Sequence, residues 1–316
     1  MSRNKPTKPT KPANLANLAN HEPRQKGRQV AAAPSRQHPA VIGGVVVTIL
    51  VLLAAVGGWM AWASPLAQPT ATEAPAAAAV TSSPTPVPTP TPWRPTPPLT
   101  AVVVDQLGQD FPNPDFVAEA TSLLEQAGYA VTYVPYDQVT VDFFRSLPAK
   151  GYDLVLLRAH SSARVSDASG EVIQDYVFLS TGEPFDDTRH REELRTRRVG
   201  GFKPDTGSEL VFVATMDFFR HSSVGRFEHA LIVMMGCDGM HSPALARALL
   251  DRGATHVIGW NASVLSTHTD RATLHLLRAL LTDGRSVPEA LEETRAVVGP
   301  DPHHGSELVL MSASPD

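Results

Sequence analysis

The sequence predicts an α/β domain, a three-layer α/β/α sandwich around a mainly parallel sheet of five to six strands, occupying residues 100–316. Three observations predict it. Short β-branched apolar runs alternate with stretches of helical spacing from Ala101 onward. Two of those runs, Tyr152 to Arg158 and Ala230 to Gly236, stop abruptly beside residues that carry chemistry, His160 and Cys237. Most of the 28 prolines fall before residue 101, so the globular part begins late.

What precedes the domain reads as three appendages. Residues 1–39 are rich in Lys, Pro, Asn and Gln, with Lys5, Lys8, Lys11, Arg24, Lys26, Arg28 and Arg36 against a lone Glu22, the composition of a disordered basic tail. Residues 40–63 carry no charge and run Val41-Ile-Gly-Gly-Val-Val-Val-Thr-Ile-Leu before closing on Trp59 and Trp62. At about 1.5 Å per residue a helix of that length spans a hydrocarbon core of about 30 Å. The basic flank in front of it keeps the amino terminus in the cytoplasm and sends the rest out, giving a single-pass signal-anchor in the cell membrane. The competing reading is a cleaved signal peptide, with Ala61-Trp-Ala63 as the cleavage site. Residues 64–99 are Pro/Thr/Ala-rich and include Pro84-Thr-Pro-Val-Pro-Thr-Pro-Thr-Pro92, an extended polyproline linker that holds the domain off the membrane.

Within the domain the elements follow in order. Ala101 to Asp105 is a strand; Asn113-Pro114 opens a helix through Phe116, Ala120, Leu123 and Leu124 that stops at Gly128; Ala130 to Val134 is the next strand. Such a strand-helix-strand unit calls for parallel pairing. After a short segment at Val141-Asp-Phe-Phe144 comes the strand leading to His160. The pattern then weakens: Val172 to Leu179 and Glu209 to Ala214 read as strands or hairpins, and charge-dense Asp186 to Lys203 as an exposed loop. Periodicity returns with the strand ending at Cys237, a helix from Ser242-Pro243 to Gly253, a strand at His256 to Trp260 and a helix over Asp270 to Leu281. Ser286-Val-Pro-Glu289 is a capping box for a last helix through Leu291 and Val297, and Glu307 to Met311 is an edge strand.

Ligands of open α/β sheets bind outside the carboxyl ends of the strands. If the two interrupted runs are neighbouring parallel strands, His160 and the only cysteine of the chain face each other across one such edge. A thiolate nucleophile and an imidazole that donates a proton to the leaving group make up thiol hydrolase chemistry. Against this stand the ordinary roles of an inert buried cysteine and a structural histidine. Trp260 and Asn261, at another carboxyl end, are expected to line the cleft beside Cys237.

The order of parts resembles the caspase-like cysteine peptidases of clan CD, and most of all their bacterial CHAT-domain branch. The resemblance rests on Leu156-Leu-Arg-Ala-His160-Ser, on Ile232-Val-Met-Met-Gly-Cys237 and on the run from Ala246 to Gly259, and it spans roughly residues 100 to 300. Thr269-Asp270-Arg-Ala and Gly284 to Leu291 also resemble CHAT endings. It implies peptide-bond hydrolysis by a Cys237/His160 dyad, with main-chain amides at Ser161, Gly236 and Asp238 around the oxyanion. Ser161 stands where the family prefers Gly, and Gly236 replaces the more usual small residue. Asp105 and Asp238 are candidate pocket acids that would favour Arg or Lys at P1, with solvated or capping acids as the alternative.

The function classes narrow further. A formal net charge of −5 is not that of a dedicated nucleic-acid binder. No HExxH is present, and one cysteine makes no zinc ribbon, so no metal or other cofactor is expected. The expected partners are a peptide or protein substrate, and the membrane through residues 40–63. The sequence leaves open a catalytically inactive caspase-like domain acting as a stalked binding or adaptor module. The missing G-x-S-x-G turn counts against a third option, a serine α/β hydrolase.

Overall fold

A computed structural model describes residues 97–163, 176–204 and 208–313. The expected tail, anchor and nearly all of the linker lie outside these residues. Among the described residues no helix is long and apolar enough to cross a membrane.

The first half lays down β1 (Leu99–Asp105), α1 (Pro114–Gln126), β2 (Tyr129–Pro135), α2 (Val141–Ser146) and β3 (Leu154–Arg158). Asn113 caps α1 by accepting from the Phe116 amide, with Pro114 just inside the helix, as its sequence dictates. A middle section follows: β4 (Ser161–Ser162), β5 (Phe178–Pro184), α3 (Arg191–Arg195), β6 (Val199–Phe202), β7 (Val211–Thr215) and α4 (Met216–His221). The last part is β8 (Leu231–Met234), α5 (Ala244–Asp251), β9 (His256–Trp260), α6 (Ser266–Leu281), α7 (Val287–Val298) and β10 (Leu308–Ser312). The capping box at Ser286 and Glu289 forms at the start of α7.

The principal sheet has six strands in the order β10-β9-β8-β3-β1-β2. All pairs are parallel except β10 with β9. Alternate residues of the central strands serve opposite faces: Val102, Val104, Val155 and Leu157 pack with α2, α4 and α5, while Ala101, Val103, Leu154 and Leu156 pack with α1, α6 and α7. Helices therefore cover both faces, and a strand buried on both sides reads as an unbroken apolar run, which is why β3 and β8 are entirely buried.

The middle section follows expectation only in part: the Glu209–Ala214 run overlaps β7, and the Val172–Leu179 run, whose first four residues lie outside the described ones, leads into β5. β4, β5, β7 and β6 form a second, antiparallel sheet of four strands. The Asp186–Lys203 stretch is not an exposed loop: it holds α3 and β6, and Val199, Gly200 and Gly201 are buried. The charged residues around Val199-Gly-Gly-Phe202 mask this short strand, and two glycines give it little intrinsic strand signal. A side chain at Gly201 would meet the Phe185 ring at 3.0 Å, so packing accounts for one of those glycines. Helix α6 starts four residues before its expected first turn, because His268 and Thr269 are polar in sequence yet buried in place.

Candidate active site

β3 and β8 are adjacent parallel strands, paired Leu154 with Leu231 through Leu157 with Met234, so both deliver their following residues to one edge of the sheet. His160 lies where the chain leaves the principal sheet: its amide donates to Gln106 Oε1 (2.8 Å), and its carbonyl accepts from the Ser180 amide (2.8 Å) as β4 enters the second sheet. On the β8 side the chain passes so close to β3 that a Cβ on Gly236 would lie 2.1 Å from the Ala159 carbonyl and 2.4 Å from Ser161 Oγ. Only glycine fits there. Ser161 Oγ then donates to the Cys237 carbonyl at 2.5 Å, so the residue after the histidine touches the cysteine main chain.

The sulfur of Cys237 lies against the loop between β9 and α6. The Val264 amide points at Sγ from 3.4 Å, and the Val264 carbonyl is 3.5 Å from it. Asp238 follows in the left-handed region, at φ 57°, and its amide donates to the Ala262 carbonyl (3.0 Å). That amide is therefore committed to the fold rather than presented to an oxyanion, which leaves the main chain at Ser161, Gly236 and Cys237 itself.

Sequence reasoning missed one residue of this site. Asp110, five residues beyond the end of β1, places Oδ2 at 2.9 Å from His160 Nε2, and its side chain is only 4% exposed. Its other oxygen accepts from Ser208 Oγ. The signal was positional: β1 is the next strand after β3, and Asp110 lies in the loop at its carboxyl end. Burial pushes the His160 pKa below the usual imidazole value; Asp110 opposes that shift, and the Arg158 charge adds to it. The ring is thus neutral at pH 7. Asp110 accepting from Nε2–H fixes the tautomer in which Nδ1 is the basic nitrogen. Phe111 and Phe202 flank the imidazole, with ring centroids 5.8 and 6.1 Å away.

The remaining expected site residues lie elsewhere. Asp105 offers no carboxylate to a cleft: it is 3% exposed, accepts from Arg158 Nη1 at 2.6 Å and takes a second hydrogen bond from the Tyr133 hydroxyl. Asp238 is likewise buried. Trp260 does not line the cleft; it is 1% exposed in the core under α6 and α7, with Nε1 donating to Thr269 Oγ1. Asn261 is exposed, but its carboxamide oxygen accepts from the Glu307 amide and its own amide donates to the Glu307 carbonyl, tying β9 to the start of β10. Strand ends do gather at this edge, but a sheet residue still points to one face or the other, and Trp260 points into a helical layer. Among the described residues no group of three or more His, Cys, Asp or Glu side chains is placed to hold a metal ion.

No known family model matches the sequence, and no curated protein matches it.

Proposed function

We propose that this chain is a caspase-like cysteine peptidase of the CHAT type, with Cys237 as nucleophile, His160 as general acid and base, and Asp110 holding the imidazole. The observation that carries the reading is the pairing of β3 with β8, which brings the residues after both strands to one edge, with Ser161 Oγ on the Cys237 carbonyl. The layered α/β arrangement of the described residues is compatible with the three-layer sandwich of that family.

In this reading His160 Nδ1 takes the thiol proton and the sulfur attacks the substrate carbonyl carbon, moving its π electrons onto oxygen. The tetrahedral oxyanion is held by main-chain amides beside Cys237 and after His160. As it collapses, the C–N bond breaks, the imidazolium protonates the departing amine, and a thioester remains. Water then attacks that thioester with His160 as base, releasing the acid and restoring the thiol. The amide of Val264, aimed at the sulfur, favours the thiolate over the thiol.

The anchor and linker reading of residues 40–99 stands on sequence alone and puts this domain outside the cytoplasm. A second reading, a non-catalytic stalked binding module, draws on one observation: the sulfur already has the Val264 amide and carbonyl as close neighbours. Turnover of a mixed fluorogenic peptide library by the full-length chain and by Cys237→Ala separates the two. Peptidase activity predicts cleavage abolished by the substitution with folding intact; no cleavage by either chain supports the binding module.

A further inference from the structure

Arg158 is the only charged residue in the five parallel strands of the principal sheet whose side chain is completely buried, and it stands two residues before His160. Burying a guanidinium is costly unless every donor is used. Here Nη1 donates to Asp105 Oδ1 (2.6 Å), Nε and Nη2 donate to the two oxygens of Asp270 (2.8 and 3.0 Å), and Nη2 also reaches the Phe111 carbonyl (2.8 Å). Burial alone lowers its pKa; the two carboxylates together outweigh that, and it stays charged.

Two of the partners of this guanidinium are the two ends of one loop. Asp105 closes β1, and Phe111 follows Asp110. Between them the chain turns so tightly that a Cβ on Gly108 would sit 2.6 Å from Asp105 Oδ2, and the Phe111 amide returns to the Leu107 carbonyl at 2.8 Å. This loop supplies both groups that hold His160 from this side: Gln106 on its amide and Asp110 on its ring. Asp270, on α6, fixes the far side of the guanidinium and also accepts from Asn113, the cap of α1, just beyond the loop. A lysine cannot reproduce the arrangement, because one ammonium has no planar fork to span both carboxylates and a carbonyl.

We propose that Arg158 is a positioning residue for His160: by gripping Asp105 and the Phe111 carbonyl it sets the loop that delivers Asp110 to His160 Nε2. The proposal deepens the reading of His160 as the acid/base group, but its test needs no turnover. The His160 ring is followed by NMR titration of the full-length chain labelled at histidine, with the signal assigned by its loss in His160→Asn. Asp110→Asn removes a charge that raises the His160 pKa, so its titration midpoint falls. Arg158→Met, which keeps the volume but not the fork, also removes the Arg158 charge that itself lowers the His160 pKa, so its midpoint is expected to fall less than that of Asp110→Asn. Arg158→Lys keeps the charge, guards against a failure of Arg158→Met to fold, and is also expected to lower it. A purely structural role would destabilise these variants while leaving His160 in the folded fraction titrating as in wild type. That result in folded Arg158→Lys, with Asp110→Asn moving the midpoint, overturns the proposal. An unmoved midpoint in Asp110→Asn overturns it too, by removing the contact that Arg158 is said to deliver. Absence of peptidase activity with these shifts intact would instead overturn the functional reading and leave the positioning role standing.

Discussion

His160 and Cys237 come off neighbouring strands, yet the two strand ends are built in different ways. The histidine is held by side chains borrowed from another part of the chain: Gln106 on its amide and Asp110 on its ring, both from the loop that Arg158 grips. The cysteine is held mainly by backbone: the Val264 amide and carbonyl at its sulfur, the Ala262 carbonyl on the next amide, and a glycine before it that lets two chains nearly touch. The lesson is that the histidine can be detuned from a distance by single side-chain changes. The cysteine is disturbed chiefly by removing it or by forcing its backbone to move, with Ser161 Oγ on its carbonyl as a side-chain contact.

The sharpest way to break the comparison is at the reacting atom. Cys237→Ala is expected to abolish peptide cleavage with the urea unfolding midpoint unchanged, since a half-buried sulfur adds little to the core; retained cleavage would mean that another nucleophile acts. Next in size is Asp110→Asn. Loss of the carboxylate that fixes the imidazole tautomer is expected to lower kcat by about 100-fold, at the low end of what general acid–base catalysis contributes, with KM little changed. An equal loss in KM would show that Asp110 binds substrate instead.

Stability separates the two strand ends again. Breaking a buried ion pair by Arg158→Met is expected to cost about 3–5 kcal/mol of unfolding free energy. Gly236→Ala, which drives a methyl group into the Ala159 carbonyl, is expected to cost about 2–3 kcal/mol by overpacking. Equilibrium urea unfolding measures both, and a Gly236→Ala chain as stable as wild type would mean that β3 and β8 do not approach as described.

The smallest effect is that of pH. His160 and His256 both have pKa values lowered by burial below the ordinary 6.5. The unfolded chain therefore takes up protons first on acidification, so stability present above pH 6.5 is lost as pH falls from there through the folded-state values. Thermal melts across that window are expected to show a falling midpoint, less steep in His256→Gln, because the native His256 Nδ1 is buried without a hydrogen-bond partner among the described residues. A flat profile would place both rings in water.

The principal sheet was largely legible because parallel strands covered on both faces leave unbroken apolar runs, and because Asn113-Pro114, Gly128, Gly253 and the Ser286/Glu289 box punctuate them with specific chemistry. The second sheet was legible only in part: β5 and β7 overlap runs read as strands or hairpins, but Val199-Gly-Gly-Phe202 follows a run of arginines and carries two glycines, and Ser161-Ser162 has no apolar signal. At the candidate site, the adjacency of the two strands that lead to His160 and Cys237 was readable. Asp110 was not readable, since a carboxylate in a loop acquires meaning only once β1 is known to lie beside β3. Asp105 and Trp260 were misread for the converse reason. A position at a strand end does not say which face the side chain takes, and the partners that claim them are not marked by any motif: Arg158 is 53 residues from Asp105, and Thr269 is 9 residues from Trp260.

Because Asp105 is paired with Arg158 and Asp238 is buried, the proposed chemistry is expected to show no selectivity for Arg or Lys from either acid. The most direct test of the proposed chemistry combines that point with the thiol itself. Full-length chain is treated with peptidyl acyloxymethyl ketones bearing Arg, Lys, Asp, Asn or Leu at P1, beside Cys237→Ala and His160→Ala. Because Cys237 is the only cysteine in the chain, a thiol adduct reports on it alone. A Cys237/His160 dyad predicts labelling of wild type, none of Cys237→Ala, far slower labelling of His160→Ala, and no advantage for Arg or Lys. Equal, slow labelling of wild type and His160→Ala by every probe, with a generic alkylating agent reacting no faster in one than in the other, would contradict it.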